Sequence, residues 1–326
     1  MGARIDIIDE SLSHSLTEMG DRMEDLAESV AKEIRGGVQT YFALPHLYEQ
    51  ATACVDEKLR GSLPFARLTV LHYRAFGGRG PAIYRAAGAI ELMILGADIV
   101  DDLQDKDNNL TAWSRMSPEI ALNIALGLTL ISGQMLLASE FPLERIHEAV
   151  QYMNTQSLTA INGQTADLLN DIQSEEDYLR MIKQKSAAFV VAACMIGTLL
   201  ATGEWNSHVR DYAEELGIAD QIKNDIRDLL DWERGDFRNR KKTLSTLYLL
   251  QYIAEEDQWI ADYFEGRLRM EEIGHRREEF ERAVERTGTF LYTSVRMRMH
   301  CYNYLRIVDK LNIDVQWKNR IIALAK

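Results

Sequence analysis

No proline follows Pro142 in this chain of 326 residues. A backbone that long without a helix breaker is free to run in long, uninterrupted helices. The five prolines, at 45, 64, 81, 118 and 142, all lie in the first half. Ser117-Pro118-Glu119 reads as a helix start, with proline at the first helical position. Leu, Ala, Glu, Arg and Met are frequent and alternating strand patterns are scarce, so the chain is expected to be all-α. No Gly/Ser run, proline-rich stretch or low-complexity block offers a linker. Residues 1–326 are therefore read as a single domain, a bundle of long helices.

Apolar spacing predicts helices over 5–35 (ended by Gly36-Gly37), 45–60, 65–76, 82–107, 143–172, 175–203 and 207–232, resuming from Thr243. Residues 265–286 mix both signs of charge and read as solvated helix. Residues 120–139 and 186–203 are uncharged and long enough to raise a membrane span. Polar and small groups such as Asn123, Gln134 and Gly197 interrupt them, and helices buried inside a bundle carry the same pattern. Any membrane association is expected to be peripheral. A net charge of −13 argues against a general nucleic-acid binder. Cys54, Cys194 and Cys301 make neither a zinc spacing nor a disulfide framework, which suits the cytoplasm. The acidic N-terminus does not read as a signal peptide.

Two acidic clusters carry the chemistry. Asp101-Asp102-Leu103-Gln104-Asp105 closes one apolar helix, and Asn224-Asp225-Ile226-Arg227-Asp228 closes another. On a helix, Asp101 and Asp105 lie one turn apart, as do Asn224 and Asp228. Stacked carboxylates repel, and a cation removes that repulsion. Mg²⁺ is the natural candidate, because it takes hard oxygen ligands and commonly shares them with substrate phosphates. Two such clusters facing each other would grip a diphosphate through bridging ions.

Five segments occur in order: Glu91 ahead of the first cluster; Gly163-Gln164-Thr165-Ala166-Asp167-Leu168; Tyr178-Leu179 with Lys185-Ser186; Gln221 ahead of the second cluster; and Lys241-Lys242-Thr243-Leu244. Over residues 50–250 this resembles the trans-polyprenyl diphosphate synthase family, with 251–326 as C-terminal helices. The resemblance implies an isoprenoid synthase fold, in which long helices surround a central apolar cavity. It implies Mg²⁺, three ions, held by Asp101, Asp102, Asp105, Asn224, Asp225 and Asp228 against the diphosphate of an allylic prenyl donor. Lys185 and Lys241 match positions that hold the diphosphate. Gln164 and Gln221 match polar positions near the reacting carbons, and fit satisfaction of buried backbone groups equally well. Gly96 and Ala97 fall on the cavity-facing turn before the first Asp pair, where small residues admit a longer prenyl tail. Asp98, one turn before Asp101, fits a ligand or a surface carboxylate.

The departures are as informative. Elongating members carry Gly-Lys-x-x-Arg-Pro for isopentenyl diphosphate. Here the stretch is Leu59-Arg60-Gly61-Ser62-Leu63-Pro64, and the Arg-Arg-Gly after the first cluster is missing. A second diphosphate needs several cations, because a multiply charged anion is not bound dry and unpaired. An intact donor site without that acceptor site resembles the ComQ-type isoprenyl transferases of quorum sensing and competence. These move geranyl or farnesyl to a tryptophan of a peptide pheromone precursor. The resemblance implies an Mg²⁺-dependent prenyltransferase acting as a homodimer. The alternative is a short-chain prenyl diphosphate synthase. A terpene cyclase and a non-catalytic subunit fit less well, the first because Asp228 and Trp232 break its second motif, the second because both acidic clusters are kept.

Overall fold

The computed structural model describes residues 23–105, 110–231 and 235–325, and among them there is no strand. The first half comprises α1 (Met23–Tyr41), α2 (Pro45–Leu59), α3 (Pro64–Ala75), α4 (Ala82–Asp105), α5 (Pro118–Leu137) and α6 (Leu143–Leu169). Then come α7 (Glu175–Thr202) and α8 (Ser207–Asp228). The remainder is α9 (Leu244–Tyr252), α10 (Gln258–Phe264), α11 (Arg277–Thr287), α12 (Thr289–Val308) and α13 (Val315–Ala323), with single helical turns between some of them.

Local chemistry sets several of these boundaries. The Ser117 hydroxyl accepts from the Ile120 amide at the start of α5, and the Ser174 hydroxyl from the Asp177 amide at the start of α7. The prolines at 45, 64 and 118 sit in the first turns of their helices, where a missing N–H leaves nothing unsatisfied. One expectation is corrected: Gly36-Gly37 does not end the first helix, which runs on to Tyr41. A Cβ on Gly37 would lie 2.6 Å from the Met135 sulfur. Glycine is there for close helix packing against α5, not for termination. The part of that predicted helix before Met23 lies outside the described residues.

α4 is the central helix, buried on nearly every side between α1, α3, α5 and α7. Both uncharged stretches pack into this bundle. In the most apolar window of α7, 72% of residues are buried, which makes it an interior helix. In α5 the figure is 44%. Its outer side exposes Leu122, Leu126 and Leu130, with Leu158 and Ile161 exposed on α6. Of residues 265–286, read as solvated helix, α11 matches, burying only Phe280, Ala283 and Val284, while the stretch before it holds a single helical turn over Met270–Ile273.

Candidate active site

The open ends of α4, α6, α7 and α8 surround a cavity of about 450 Å³. Its depths are apolar, walled by Met93, Ala160, Met181, Ile182 and Phe189, and its mouth is ringed by charge. Asp101 and Asp105 of α4 face Asp167 of α6, Lys185 of α7, Asn224 and Asp225 of α8, and Lys241.

The two lysines hold this ring together. Lys185 Nζ lies 2.7 Å from Asp167 and 3.3 Å from Asp101. Lys241 Nζ lies 2.7 Å from the same Asp167 oxygen and 3.4 Å from Asp105. Burial favours neutral amines, but the carboxylates outweigh it: Asp101 and Asp167 for Lys185, Asp167 and Asp105 for Lys241. Both ammonium pKa values end above the ordinary lysine range. Burial pushes Asp167 up, but the two ammoniums pull it further down, so its carboxyl ends below the usual range. Burial and the neighbouring Asp101 hold Asp105 above it.

On the facing side, Asp225 is gripped at both oxygens. Tyr178, fully buried, donates its hydroxyl at 2.6 Å, and Gln221 donates its amide at 2.8 Å. The Gln221 carbonyl in turn accepts from Ser186 at 2.6 Å. Gln164 donates to Gln104 across the mouth at 3.0 Å. Its own carbonyl oxygen is buried with no hydrogen-bond partner among the described residues.

Two local irregularities aim these groups. α7 carries a π-helical turn over Lys183–Ala187, which contains both Lys185 and Ser186. Such single-turn bulges re-aim side chains and are frequent at functional sites. Gly163 of α6 lies against it: a Cβ there would fall 2.2 Å from the Lys185 backbone nitrogen. Lys241 does not belong to a solvated basic loop, as its surroundings in sequence suggest. It is 7% exposed. Arg240 ahead of it is left-handed (φ 54°). The Arg240 carbonyl accepts from Asn170, and the Lys241 carbonyl accepts from Thr246. Residues 232–234 of that loop lie outside the described residues.

The expected site residues therefore converge, with two exceptions. Asp102 points away from the cavity, about 100° around the helix from Asp101. It is 5% exposed, accepts from the Trp113 indole at 2.7 Å, and is pushed above the carboxylate range by burial. Asp228 is buried one turn beyond Asn224, outside the cavity lining, with Arg227 donating to it at 3.2 Å. Gly96 lines the cavity with Ala97, but its missing Cβ would strike the Thr129 hydroxyl at 2.6 Å. Its smallness serves α4–α5 packing as much as cavity depth. Asp167 and Tyr178 are additions. Both stand in motif segments visible in the sequence, yet their partners are distant in the chain.

The polyprenyl synthetase family model matches residues 58–274. The chain belongs to the polyprenyl synthetase family. Among curated relatives, a protein described as tryptophan prenyltransferase ComQ from Bacillus subtilis subsp. natto (strain BEST195) is 33% identical over 81% of this chain and 82% of its own length. The like-named protein of Bacillus subtilis (strain 168) is 31% identical over 79% and 85%. A geranylgeranyl diphosphate synthase of Sulfolobus acidocaldarius is 30% identical over 57% of this chain and 62% of its own length. Among solved structures, a polyprenyl synthetase from Streptomyces coelicolor A3(2) superposes with a TM-score of 0.79 at 21% identity, covering 98% of both chains, which establishes the shared all-α isoprenoid synthase fold.

Polyprenyl synthetases are generally Mg²⁺-dependent. The residues of this mouth fit that ion. Asp98, Asp101, Asp105, Asp167 and Asp225 line the cavity with Lys185, Lys241 and Lys242, so among its described lining residues carboxylates outnumber ammoniums. A diphosphate would be repelled unless cations came with it. Among the described residues no three His, Cys, Asp or Glu side chains converge closely enough to hold an ion alone. Mg²⁺ takes one or two carboxylates and completes its shell with water and substrate phosphates.

The segment that departs from the family pattern, residues 59–64, has different surroundings. Arg60 is exposed. Leu63, in the position of the family's arginine, is 2% exposed and left-handed (φ 52°). Lys58 is committed to Asp98 at 3.0 Å and to the fully buried Glu91 at 3.3 Å. Burial opposes its charge, but these two carboxylates prevail and raise its pKa above the lysine range.

Proposed function

We propose that this chain moves a geranyl or farnesyl group from its diphosphate to a tryptophan of a peptide pheromone precursor, in quorum sensing and competence. One observation carries the reading. The donor mouth is complete over an apolar cavity, while Lys58, the cation just before the departed segment, is already paired with two carboxylates. The ComQ relatives, matched over most of their length, support it from a second direction.

Asp101, Asp105, Asn224 and Asp225 would hold Mg²⁺, three ions by the family pattern, with Asp228 extending the set along one face of α8. When bound, the metal supplies positive charge against the diphosphate. The protein's own groups do the rest. Lys185 and Lys241 are kept charged by Asp167 and placed to receive the departing diphosphate oxygens, and such preorganised charge lowers the barrier to ionisation. Tyr178 and Gln221 fix Asp225 in one orientation. Met93, Met181 and Phe189 keep water from the allylic carbon. The neutral indole ring then attacks through C3.

The deciding experiments supply farnesyl diphosphate, Mg²⁺ and isopentenyl diphosphate to the protein, and compare by mass spectrometry the small peptides of cells with and without it. The expected result is a peptide heavier by one isoprenoid chain and no longer prenyl diphosphate. Efficient elongation would overturn the reading in favour of a short-chain synthase.

The outer apolar face of α5 and α6 supports a homodimer. Leu130 is 73% exposed and Ile161 is 59% exposed, a cluster larger than scattered surface leucines explain. Leu130→Glu, which does not touch the cavity lining, is expected to shift the solution mass from dimer to monomer by light scattering. An unchanged mass would place any interface elsewhere. The free cysteines, two of them buried, fit a cytoplasmic setting, with membrane association at most peripheral.

A further inference from the structure

A second surface lies outside the cavity, on α12. The inner side of that helix buries Thr289, Thr293, Tyr304 and Val308, packed against α8 with α9, α11 and α13 around it. Its outer side breaks the polar pattern of an ordinary surface helix. Leu291, Val295, Met299 and Tyr302 are all exposed, Leu291 by 72% and Tyr302 by 64%. Spacings of four, four and three residues stack them in one stripe along the helix. Arg298 and Arg306 are exposed within the same stripe. The stripe starts beside the cavity mouth. Tyr292 donates its hydroxyl to Glu175, and Arg296 pairs with the same carboxylate. Glu175 lies one turn before Tyr178, which donates to Asp225. From there α12 runs along the outside of α8, where His300 meets Glu215 at 2.6 Å, nearly three turns before Asp225.

Charge decides what covers this stripe. The chain as a whole carries −13, but unevenly. Residues 289–326 hold seven Lys and Arg against two Asp, a net +5, and the rest of the chain carries −18. α12 itself has three arginines and a histidine and no carboxylate. The leucine face of α5 is of another kind: that helix has no basic residue, which suits contact with an equally uncharged copy. Two α12 stripes set against each other would bring arginines together. An apolar stripe set with arginines fits an anionic lipid surface. The guanidiniums meet the headgroup phosphates, and the apolar side chains sink toward the acyl boundary. The acidic remainder of the chain is repelled by such a surface, so this side alone turns to it. We propose that the outer face of α12 seats the protein on an anionic bilayer, with the Leu291 end bringing the cavity mouth to the lipid boundary. An allylic prenyl diphosphate is an amphiphile, so the surface that holds the protein also gathers its donor. The inference goes beyond the prenyl-transfer reading and is independent of the acceptor.

The test is co-sedimentation of the full chain, without substrates, with vesicles of phosphatidylcholine alone or of phosphatidylcholine mixed with phosphatidylglycerol. Wild type is expected to bind the mixed vesicles and to be released as salt is raised, since screening weakens the attraction. Arg298→Gln combined with Arg306→Gln is expected to weaken that binding about thirtyfold, each basic residue near an anionic surface contributing about fivefold. Leu291→Ser combined with Met299→Ser is expected to weaken it about tenfold or more, through lost apolar contact with lipid. All four side chains are exposed, so denaturation midpoints are expected to stay at the wild-type value, which separates lost binding from lost fold. Wild type that sediments with neither vesicle, or equally with both, overturns the proposal. So does wild-type binding by either double variant. A fall in solution mass by light scattering in either variant would assign the stripe to a second copy of the chain instead, and would overturn the proposal as well. Because no turnover is measured, failure here leaves the prenyl-transfer reading standing, and failure of that reading leaves vesicle binding unaffected.

Discussion

Asp101→Ala and Asp105→Ala are each expected to slow Mg²⁺-dependent diphosphate release by about a thousandfold, the upper range for removing one preorganised electrostatic group. Each faces the cavity mouth and each shares its lysine with Asp167. Loss of Asp101 leaves Lys185 with Asp167, and loss of Asp105 leaves Lys241 with Asp167, so both lysines stay charged and the fold survives. What goes is oxygen-ligand charge on the α4 side of the diphosphate. The control is Asp102→Ala. That carboxylate turns away and accepts from Trp113. Its removal strands a buried indole N–H, a loss of about 1–3 kcal/mol of stability, while diphosphate release stays within a few fold of wild type. Release assays across a magnesium titration, with denaturation midpoints, separate the two outcomes. A thousandfold loss in Asp102→Ala with intact stability would show that the first cluster acts through Asp102 instead.

Gly163→Ala is the second large effect. The added methyl would sit 2.2 Å from the Lys185 nitrogen and 2.7 Å from the Gln184 carbonyl carbon, both backbone atoms that cannot rotate aside. Either α6 moves out or the π-helical turn of α7 shifts. Overpacking of this kind destabilises by about 1–3 kcal/mol. Moving that turn also displaces Lys185 and Ser186, and with Ser186 the bond that orients Gln221 against Asp225. The expected result is a lowered denaturation midpoint together with a fall in turnover of about a hundredfold, the sensitivity expected when a positioned group moves by an ångström. A methyl tolerated without change in either measurement would mean that this contact does not set the lysine.

Much of the bundle is legible in the chain because helices report themselves locally. Pro118 after Ser117, the apolar run up to Asp105 and the charged pattern of α11 each mark an element through interactions among near neighbours. The same locality misleads at Gly36-Gly37, where a contact with Met135 nearly a hundred residues away explains the glycine. It misleads again at Lys241, whose basic neighbours suggest solvation while Asn170 and Thr246 tie its backbone down. The π-helical turn leaves no local signature, because an extra residue in a helix is stabilised by what it packs against.

By itself the sequence determined an all-helical chain, two acidic helix ends, and the loss of the cations that a second diphosphate requires. The first two follow from residue type and from periodicity within a single helix, and the third from the departure of residues 59–64 from the family the chain resembles. Only the tertiary structure decided which carboxylate of the first pair faces the cavity, that Asp167 joins both lysines, that Tyr178 and Gln221 aim Asp225, and that Asp98 and Glu91 have consumed the charge of Lys58. Each of those is a distance of a few ångströms between residues far apart in the chain, and electrostatic and hydrogen-bond energies depend on that distance rather than on sequence separation.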